Sequence, residues 1–152
     1  WNVVLAGDTD TLRNIERLKF NDTFVALDLD GNAGKTVKLL AALLGAASAT
    51  EKAYVGAGLQ ALDNGMSYEA LMEMAIDAVF GSNPAGSSVV GTLYQNLVGS
   101  SAPQSVLDDY GAMLDDGIMS ATDLGIAVAE HSLTATNIDL VGLSASGLEY
   151  MI

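Results

Sequence analysis

The sequence predicts a mainly α protein in which a short N-terminal β segment packs on a compact bundle of about six helices. Half of the 152 residues are hydrophobic, which is enough for a sizeable core at this length. Apolar residues recur at helical spacing from Lys35 onward, whereas the preceding residues form short extended runs. We therefore expect a β-rich segment over residues 1–34 and a helical domain over residues 35–152.

Short apolar runs separated by turn residues are typical of strands in the N-terminal segment. Residues 3–5 precede a turn at Gly7-Asp8, and residues 23–27 follow a second turn at Asn21-Asp22. We expect two or three short strands here. A β segment of this size is not stable alone, so we expect it to dock on the helices or to continue another sheet.

Glycine, proline and capping residues divide the rest of the chain into helices. The expected helices cover residues 35–44, 51–62, 67–80, 87–98, 103–115 and 120–132, with a last short helical piece over residues 144–151. Ser67 and Ser120 are the expected N-caps of the third and sixth helices. Since the connections are only a few residues long, neighbouring helices should be antiparallel.

A helix-turn-helix unit occurs twice in the helical domain. Residues 62–67, followed by Leu71 and Ala75, match residues 114–120, followed by Leu124 and Val128, with one inserted residue. Each copy predicts a helix, an acidic glycine turn that stops it, a buried Met and a Ser that caps the next helix. The repeat indicates architecture rather than chemistry.

The charge is acidic and unevenly distributed. The formal net charge is −13, and all six basic residues lie within residues 1–52 together with seven acids, while residues 53–152 hold the other twelve of the 19 acids. Such a surface repels phosphate backbones, so we expect no nucleic-acid partner. The longest apolar run covers nine residues, 39–47, and is too short to span a membrane. An acidic surface instead attracts divalent cations or a basic partner.

Residues 28–36 carry the richest chemistry. Asp28, Asp30 and Asn32 place oxygen ligands at positions 1, 3 and 5 of a loop, as an EF-hand does. Ala33 at position 6 and Leu39 at position 12 exclude a complete EF-hand. Two alternatives stay open: a looser calcium site completed by backbone carbonyls and a carboxylate from elsewhere, or a plain turn that leads into the helix.

The same residues disfavour a nucleotide site. Gly34-Lys35-Thr36 lies between a strand and a helix, as in a phosphate-binding loop. Leu29 stands where the first glycine of that loop is required, and Asp28 and Asp30 would face the phosphates with like charge.

Other polar residues give a second calcium candidate but no catalytic one. Asp8 and Asp10 offer carboxylates in the first turn, where they are otherwise ordinary turn residues. The acid pairs at 108–109 and 115–116 suit helix ends better than catalysis. His131, in a chain without cysteine, cannot build a typical zinc site, and residues 142–147 miss the nucleophile-elbow spacing by one residue. We therefore expect no enzymatic activity.

Two stretches, DTLRNIERLKFND at 10–22 and ALDLDGNAG at 26–34, resemble the segment that follows the calcium-binding nonapeptide repeats of repeats-in-toxin proteins. LDNGMS at 62–67, LYQNLVG at 93–99 and GLEY at 147–150 are similar to a helical domain of unknown function often found in the same proteins. The resemblance covers nearly the whole chain. It implies the C-terminal region of a type I secreted bacterial protein, such as an adhesin, surface-layer protein or exoprotein, whose folding outside the cell is assisted by calcium.

The nonapeptide repeat and its glycine pairs are absent from this sequence, so the resemblance alone does not carry calcium binding over to it. The opening Trp1 leads us to expect a piece of a larger secreted polypeptide. We expect a non-catalytic structural or interaction module at the bacterial surface or outside the cell, which binds calcium weakly and helps export or assembly. The alternative is a self-assembling surface-layer or filament subunit, a homo-oligomer whose β segment pairs with another copy's strand edge.

Overall fold

The computed structural model describes the backbone of residues 2–5 and 8–10, and both backbone and side chains of residue 11 and residues 13–152. In these residues, four short strands are followed by eight α-helices and a fifth strand. The predicted fold class, mainly α with a short N-terminal β segment, is confirmed.

Two antiparallel hairpins form the N-terminal segment. Strand β1 (Asn2–Leu5) pairs with β2 (Asp8–Thr11), and β3 (Arg17–Lys19) pairs with β4 (Phe24–Ala26). The second hairpin turns at Asn21-Asp22, as predicted, and the Phe20 N–H donates to the Thr23 carbonyl at 2.8 Å. Four strands therefore stand where two or three were predicted, while Gly7 of the other predicted turn lies outside the described residues.

The last strand corrects the sequence prediction of a helix over residues 144–151. Strand β5 (Leu148–Tyr150) pairs antiparallel with β4 and completes a three-stranded sheet of order β3-β4-β5. Leu148 and Tyr150 are buried while Glu149 is exposed, an alternation with the period of a strand. The Tyr150 ring lies 5.4 Å from the Phe24 ring, between centroids.

The helices have the following bounds: α1 (Asn32–Leu44), α2 (Lys52–Asp63), α3 (Tyr68–Phe80), α4 (Gly86–Val98), α5 (Gln104–Asp115), α6 (Ala121–Ala129), α7 (Ser132–Asn137) and α8 (Leu140–Ser146). A 3-10 helix (Ala46–Thr50) joins α1 to α2. The predicted sixth helix, 120–132, is wrong at its end because α6 stops at Ala129. His131 is the N-cap of α7, and its Nδ1 accepts from the Leu133 N–H at 3.1 Å.

Helix α1 lies at the centre of the molecule and contributes to two core clusters. Ala33, Val37 and Leu40 pack beneath the three-stranded sheet, with residues of α2 and β5. Leu39 and Leu43 pack into the second cluster, which α3, α4 and α6 complete. Helix α1 therefore joins the core beneath the sheet to the core between the helices.

Both copies of the helix-turn-helix repeat end their first helix in the same way. Gly65 and Gly117 adopt positive φ angles of 92° and 68°, a left-handed conformation that glycine favours at helix ends. Ser67 Oγ accepts from the Ala70 N–H at 3.1 Å, and Ser120 Oγ accepts from the Asp123 N–H at 3.0 Å. The prediction of a buried Met in each turn is wrong for Met66, which is 37% exposed, and Met119 of the second copy is only half-buried.

None of the helices in the described part of the chain has the length and apolar character needed to cross a membrane.

Candidate functional site

The turn between β4 and α1 holds three of the predicted calcium ligands. The Asp28 carbonyl accepts from the Gly31 N–H at 2.8 Å, which closes the turn. An oxygen of the Asp28 carboxylate lies 3.4 Å from the Ala33 N–H in the first turn of α1. Asp28 thus places negative charge at the helix N terminus, where the helix dipole favours it.

Arg17 of β3 brings this turn together with the end of α2. Its Nη1 contacts the Asp28 carboxylate, while its Nε and Nη2 donate to the two oxygens of Asp63 at 3.0 and 2.8 Å. The Asn32 amide also donates to Asp63, at 2.8 Å. We call these four side chains, Arg17, Asp28, Asn32 and Asp63, the Arg17 network. It ties the second hairpin to the start of α1 and the end of α2.

The ionisation of the Arg17 network favours its charged form. Burial by itself would raise the pKa of Asp63, but hydrogen bonds from Arg17 and Asn32 outweigh burial and lower it. Burial likewise opposes the charge of Arg17, yet its hydrogen bonds to Asp63 and Asp28 raise its pKa. The network therefore favours a charged carboxylate at Asp63 and a charged guanidinium at Arg17.

The network shows how the predicted calcium ligands are used. Asp28 and Asn32 do come together, but around a guanidinium, because Arg17 neutralises Asp28 and the Asn32 amide donates to Asp63. Asp30 is exposed and stands outside the network. The arrangement fits an ion pair, and a calcium ion at Asp28 would have to displace Arg17.

Calcium at the first hairpin stays a prediction, since the side chains of Asp8 and Asp10 lie outside the described residues. Within the described residues, no three His, Cys, Asp or Glu side chains are grouped to hold a metal ion.

Two cavities flank the exposed Asp30. One, of about 650 Å³, lies between the turn and helices α7 and α8, and its polar lining includes Thr136 and Asp139. The other, of about 570 Å³, lies between α1, α3 and α6 and includes both Lys35 and Tyr68. The lining of the second cavity includes charged side chains of both signs, and Lys38 Nζ contacts Glu130 Oε2 at 2.6 Å.

Tyr68 is the polar group of the second cavity that hydrogen bonding leaves unsatisfied. Its hydroxyl is buried without a hydrogen-bond partner in the described structure. Burial, together with the negative charge of Glu130, raises the pKa of the phenol. The Lys35 ammonium lies 5.8 Å from the centre of the ring, within cation-π range. The phenol therefore stays protonated and serves here as a packed aromatic.

Among the acids of α5, Asp115 has the capping role that the sequence predicts, whereas Asp108 contacts a side chain of its own helix. Asp115 Oδ1 accepts from the Gly86 N–H at 2.7 Å and so caps α4 across the helix pair. Asp108 accepts from the Gln104 amide one turn earlier in α5, at 2.8 Å. These contacts hold helices in place and bring no two carboxylates to a shared cavity.

Sequence reasoning missed Arg17 and Asp63, the two residues that organise the site. They are 46 positions apart, and no local spacing links them. Comparisons of the chain with family models, with curated proteins and with solved structures gave no match.

Proposed function

We propose that the chain is a non-catalytic structural and interaction module of a secreted or cell-surface bacterial protein. The observation that carries this proposal is the Arg17 network. The segment with the richest chemistry in the sequence uses its charges to join a hairpin to two helices. Groups used in this way stabilise a scaffold, since each is already paired with a partner of opposite charge or a hydrogen-bond donor.

Two further ion pairs support the same function. Lys38 of α1 pairs with Glu130 at the C-terminal end of α6, and Lys52 of α2 pairs with Glu149 of β5. Counting Arg17, three of the six basic residues thus join elements that are distant in sequence. Basic residues are scarce in this protein, and half of them form ion pairs between different elements.

The location outside the cell is supported by the sequence. The last 100 residues carry twelve acids and no Lys or Arg, and cysteine is absent. Divalent cations gather near such a surface, which suits surroundings that contain calcium. The resemblance to the C-terminal region of type I secreted proteins points to the same location and to a part in export or assembly.

Surface labelling tests the location. An antibody against the chain, applied to unpermeabilised cells of the source bacterium, should label the cell surface or detect the protein in the medium. A cytosolic protein probed in parallel serves as the control for lysis. Detection of the chain only after permeabilisation would contradict the extracellular part of the proposal.

Calcium binding is a second, separate part of the proposal. A site at Asp28, Asp30 and Asn32 has to compete with Arg17, so we expect weak binding, on the order of millimolar, as in extracellular modules. Calcium chloride should then raise Tm more than magnesium chloride at the same concentration, through binding to the folded state. Equal shifts for the two salts would reflect screening alone and would contradict a calcium site.

Variants locate the calcium site. Arg17→Gln should strengthen the calcium response if the turn at residues 28–32 binds the ion, because the competing charge is removed. Asp8→Asn combined with Asp10→Asn should abolish the response if the first hairpin binds it. A calcium response that neither change alters would exclude both candidates.

A self-assembling subunit is the second candidate, and one edge of the sheet favours it. Strand β5 is covered by α2, and the Met151 N–H donates to the Lys52 carbonyl at 3.1 Å. The opposite edge, β3, pairs on one side only within the described residues. An added strand would therefore pair with β3. Ordered polymers in negative-stain images with calcium would support this candidate, and a monomer at every concentration would exclude it.

A further inference from the structure

An apolar groove runs along the helical domain between α4, α5 and α6. Its volume is about 320 Å³, and none of the side chains that line it is charged. The partly exposed members of the lining are Tyr94, Leu97, Val106, Tyr110, Leu124 and Val128. All of the lining residues lie within residues 90–128, and none of them belongs to the Arg17 network.

Helix α5 packs most closely on α4. Its close contact with α4 runs through two glycines: a Cβ built on Gly86 would lie 2.3 Å from the Gly111 carbonyl oxygen. Gly111 is the one buried residue of α5, a helix that the structure describes in full. The side of α5 that faces the groove is only partly covered, because Val106 is half-buried and Tyr110 is 43% exposed.

Charge decides what fits this groove. It lies wholly within residues 53–152, which carry twelve acids and no Lys or Arg. Asp109 is exposed and follows Val106 of the groove lining by three residues, so helical geometry places these two side chains next to each other and the Asp109 carboxylate at the rim. A second copy of this chain would bring the same acidic rim against the first, and like charges disfavour that pairing. A cationic partner meets both the apolar floor and the acidic rim.

We propose that the groove between α4, α5 and α6 binds a cationic amphipathic helix of another polypeptide. Helix α5 has 12 residues, or about 18 Å at 1.5 Å per residue. A helix of about three turns, with apolar residues at i, i+3, i+4 and i+7 and Lys or Arg beside them, matches this length. The inference rests on the interaction half of the proposed function and is independent of the extracellular half.

A designed peptide tests the groove directly. The probe is a fluorescein-labelled 14-residue peptide of Leu and Lys with an amphipathic helical pattern, and its binding to the full chain is followed by fluorescence anisotropy. We expect it to bind at least about tenfold more tightly than a peptide of the same composition in scrambled order. Equal affinity for the two peptides would mean charge attraction alone and would overturn the proposal.

Two tyrosine variants locate the binding. Tyr110→Ser should weaken binding of the amphipathic peptide by about tenfold, because it removes an aromatic side chain from the groove. Tyr54→Ser is the matched control, since Tyr54 is 55% exposed on α2 and lies outside the groove. Circular dichroism verifies that both variants fold. Equal effects of the two changes would overturn the assignment of the groove.

The acidic rim and the competing occupant have their own tests. Asp109→Asn should weaken binding and reduce its dependence on salt, because one rim charge is lost. Sedimentation of the chain without peptide tests the second copy as an occupant. A dimer that Tyr110→Ser dissociates would show that the groove binds another copy of this chain, and it would overturn the proposal of a cationic partner.

Surface labelling and peptide binding test separate claims, so a negative result in one leaves the other claim standing. A cytosolic chain that binds the amphipathic peptide would contradict only the proposed location. A surface-exposed chain that ignores the peptide would contradict only the groove assignment.

Discussion

Arg17 joins three elements of the described structure, and no spacing in the sequence indicates this role. Its guanidinium contacts Asp28 at the start of α1 and both carboxylate oxygens of Asp63 at the end of α2. The Arg17 and Asp28 side chains are 23% and 11% exposed, so this pair is largely shielded from solvent. A partly buried carboxylate that loses its cation stays behind with an unfavourable charge.

We expect Arg17→Ala to destabilise the chain by about 2 kcal/mol, in the range of hydrogen bonds to charged groups after allowance for exposure. For a chain of this length, that loss lowers Tm by about 4–8 °C. Thermal unfolding followed by circular dichroism measures the change. Arg13→Ala, at an exposed position in the same segment, should leave Tm unchanged, and equal losses in the two variants would contradict the role of Arg17.

The Asp63 carboxyl predicts a pH dependence of stability. Hydrogen bonds from Arg17 and Asn32 outweigh burial and hold its pKa in the folded protein below the usual value of 3.8. Its contribution to stability is therefore complete above the unfolded-state pKa and disappears as the pH falls through the lower folded-state pKa. The Tm difference between the native chain and Asp63→Asn should be largest near neutral pH and should shrink in strong acid.

Arg17 itself provides the control for this pH effect. In an Arg17→Ala background the Asp63 carboxyl loses the guanidinium, so the further change Asp63→Asn should alter the acid dependence of Tm much less. An unchanged effect in that background would show that another group lowers the Asp63 pKa.

At this scale, the sequence located part of the site. The spacing of Asp28, Asp30 and Asn32 singled out the turn before α1, and the structure brings two of these three residues into one network. No local pattern indicated that Arg17 would pair with this turn. Arg17 contacts Asp28 because the second hairpin folds back, and it contacts Asp63 because α2 packs against the same region. Spacing identifies oxygen donors but not the charge that will face them.

Two helical glycines differ in how closely a neighbouring element approaches them. A Cβ built on Gly56 of α2 would lie 1.6 Å from the Met151 carbonyl oxygen, because the chain after β5 runs directly over this helix. A Cβ on Gly91 of α4 would meet only the end of the Leu107 side chain, at 3.5 Å. The first glycine is needed for close approach, and the second is not.

Gly56→Ala should destabilise the chain by about 1–3 kcal/mol, since the new methyl group forces β5 away from α2. Gly91→Ala should instead stabilise it by about 0.5–1 kcal/mol, because alanine favours the helix and the site has room. Urea unfolding of both variants measures the difference. If Gly56→Ala were as stable as Gly91→Ala, the packing of the terminal strand on α2 would be wrong.

Helix positions followed well from local signals, whereas the terminal strand did not. Ser67 and Ser120 cap α3 and α6 as predicted, and Gly81 and Gly99 end α3 and α4. Strand β5 is three residues long, too short for its alternation to be told from part of a helix. Its pairing partner β4 lies at the other end of the sequence, so no local signal identifies it.

The whole molecule is a chain of net charge −13 built around α1, whose two faces serve the two core clusters. The hydrophobic interior has to hold against the mutual repulsion of carboxylates on the surface. This repulsion is strongest in residues 53–152, where no Lys or Arg offsets the acids.

Stability should therefore rise with ionic strength. Raising sodium chloride from about 10 to about 200 mM shortens the Debye length from about 30 Å to below 10 Å and screens the repulsion. We expect Tm to increase over this range, as measured by differential scanning calorimetry. A fall in Tm would mean that the ion pairs of Arg17, Lys38 and Lys52 contribute more than the repulsion does.

The pairing of β5 with β4 joins segments that are more than 120 residues apart in the sequence. Any chain that passes through a narrow channel, from a ribosome or across a membrane, emerges one end first. Until β4 and β5 have both left the channel, the three-stranded sheet lacks a strand and the core cluster beneath it lacks either Ala26 or Leu148 and Tyr150. This sheet and its core cluster can therefore close only after all of residues 24–150 have emerged.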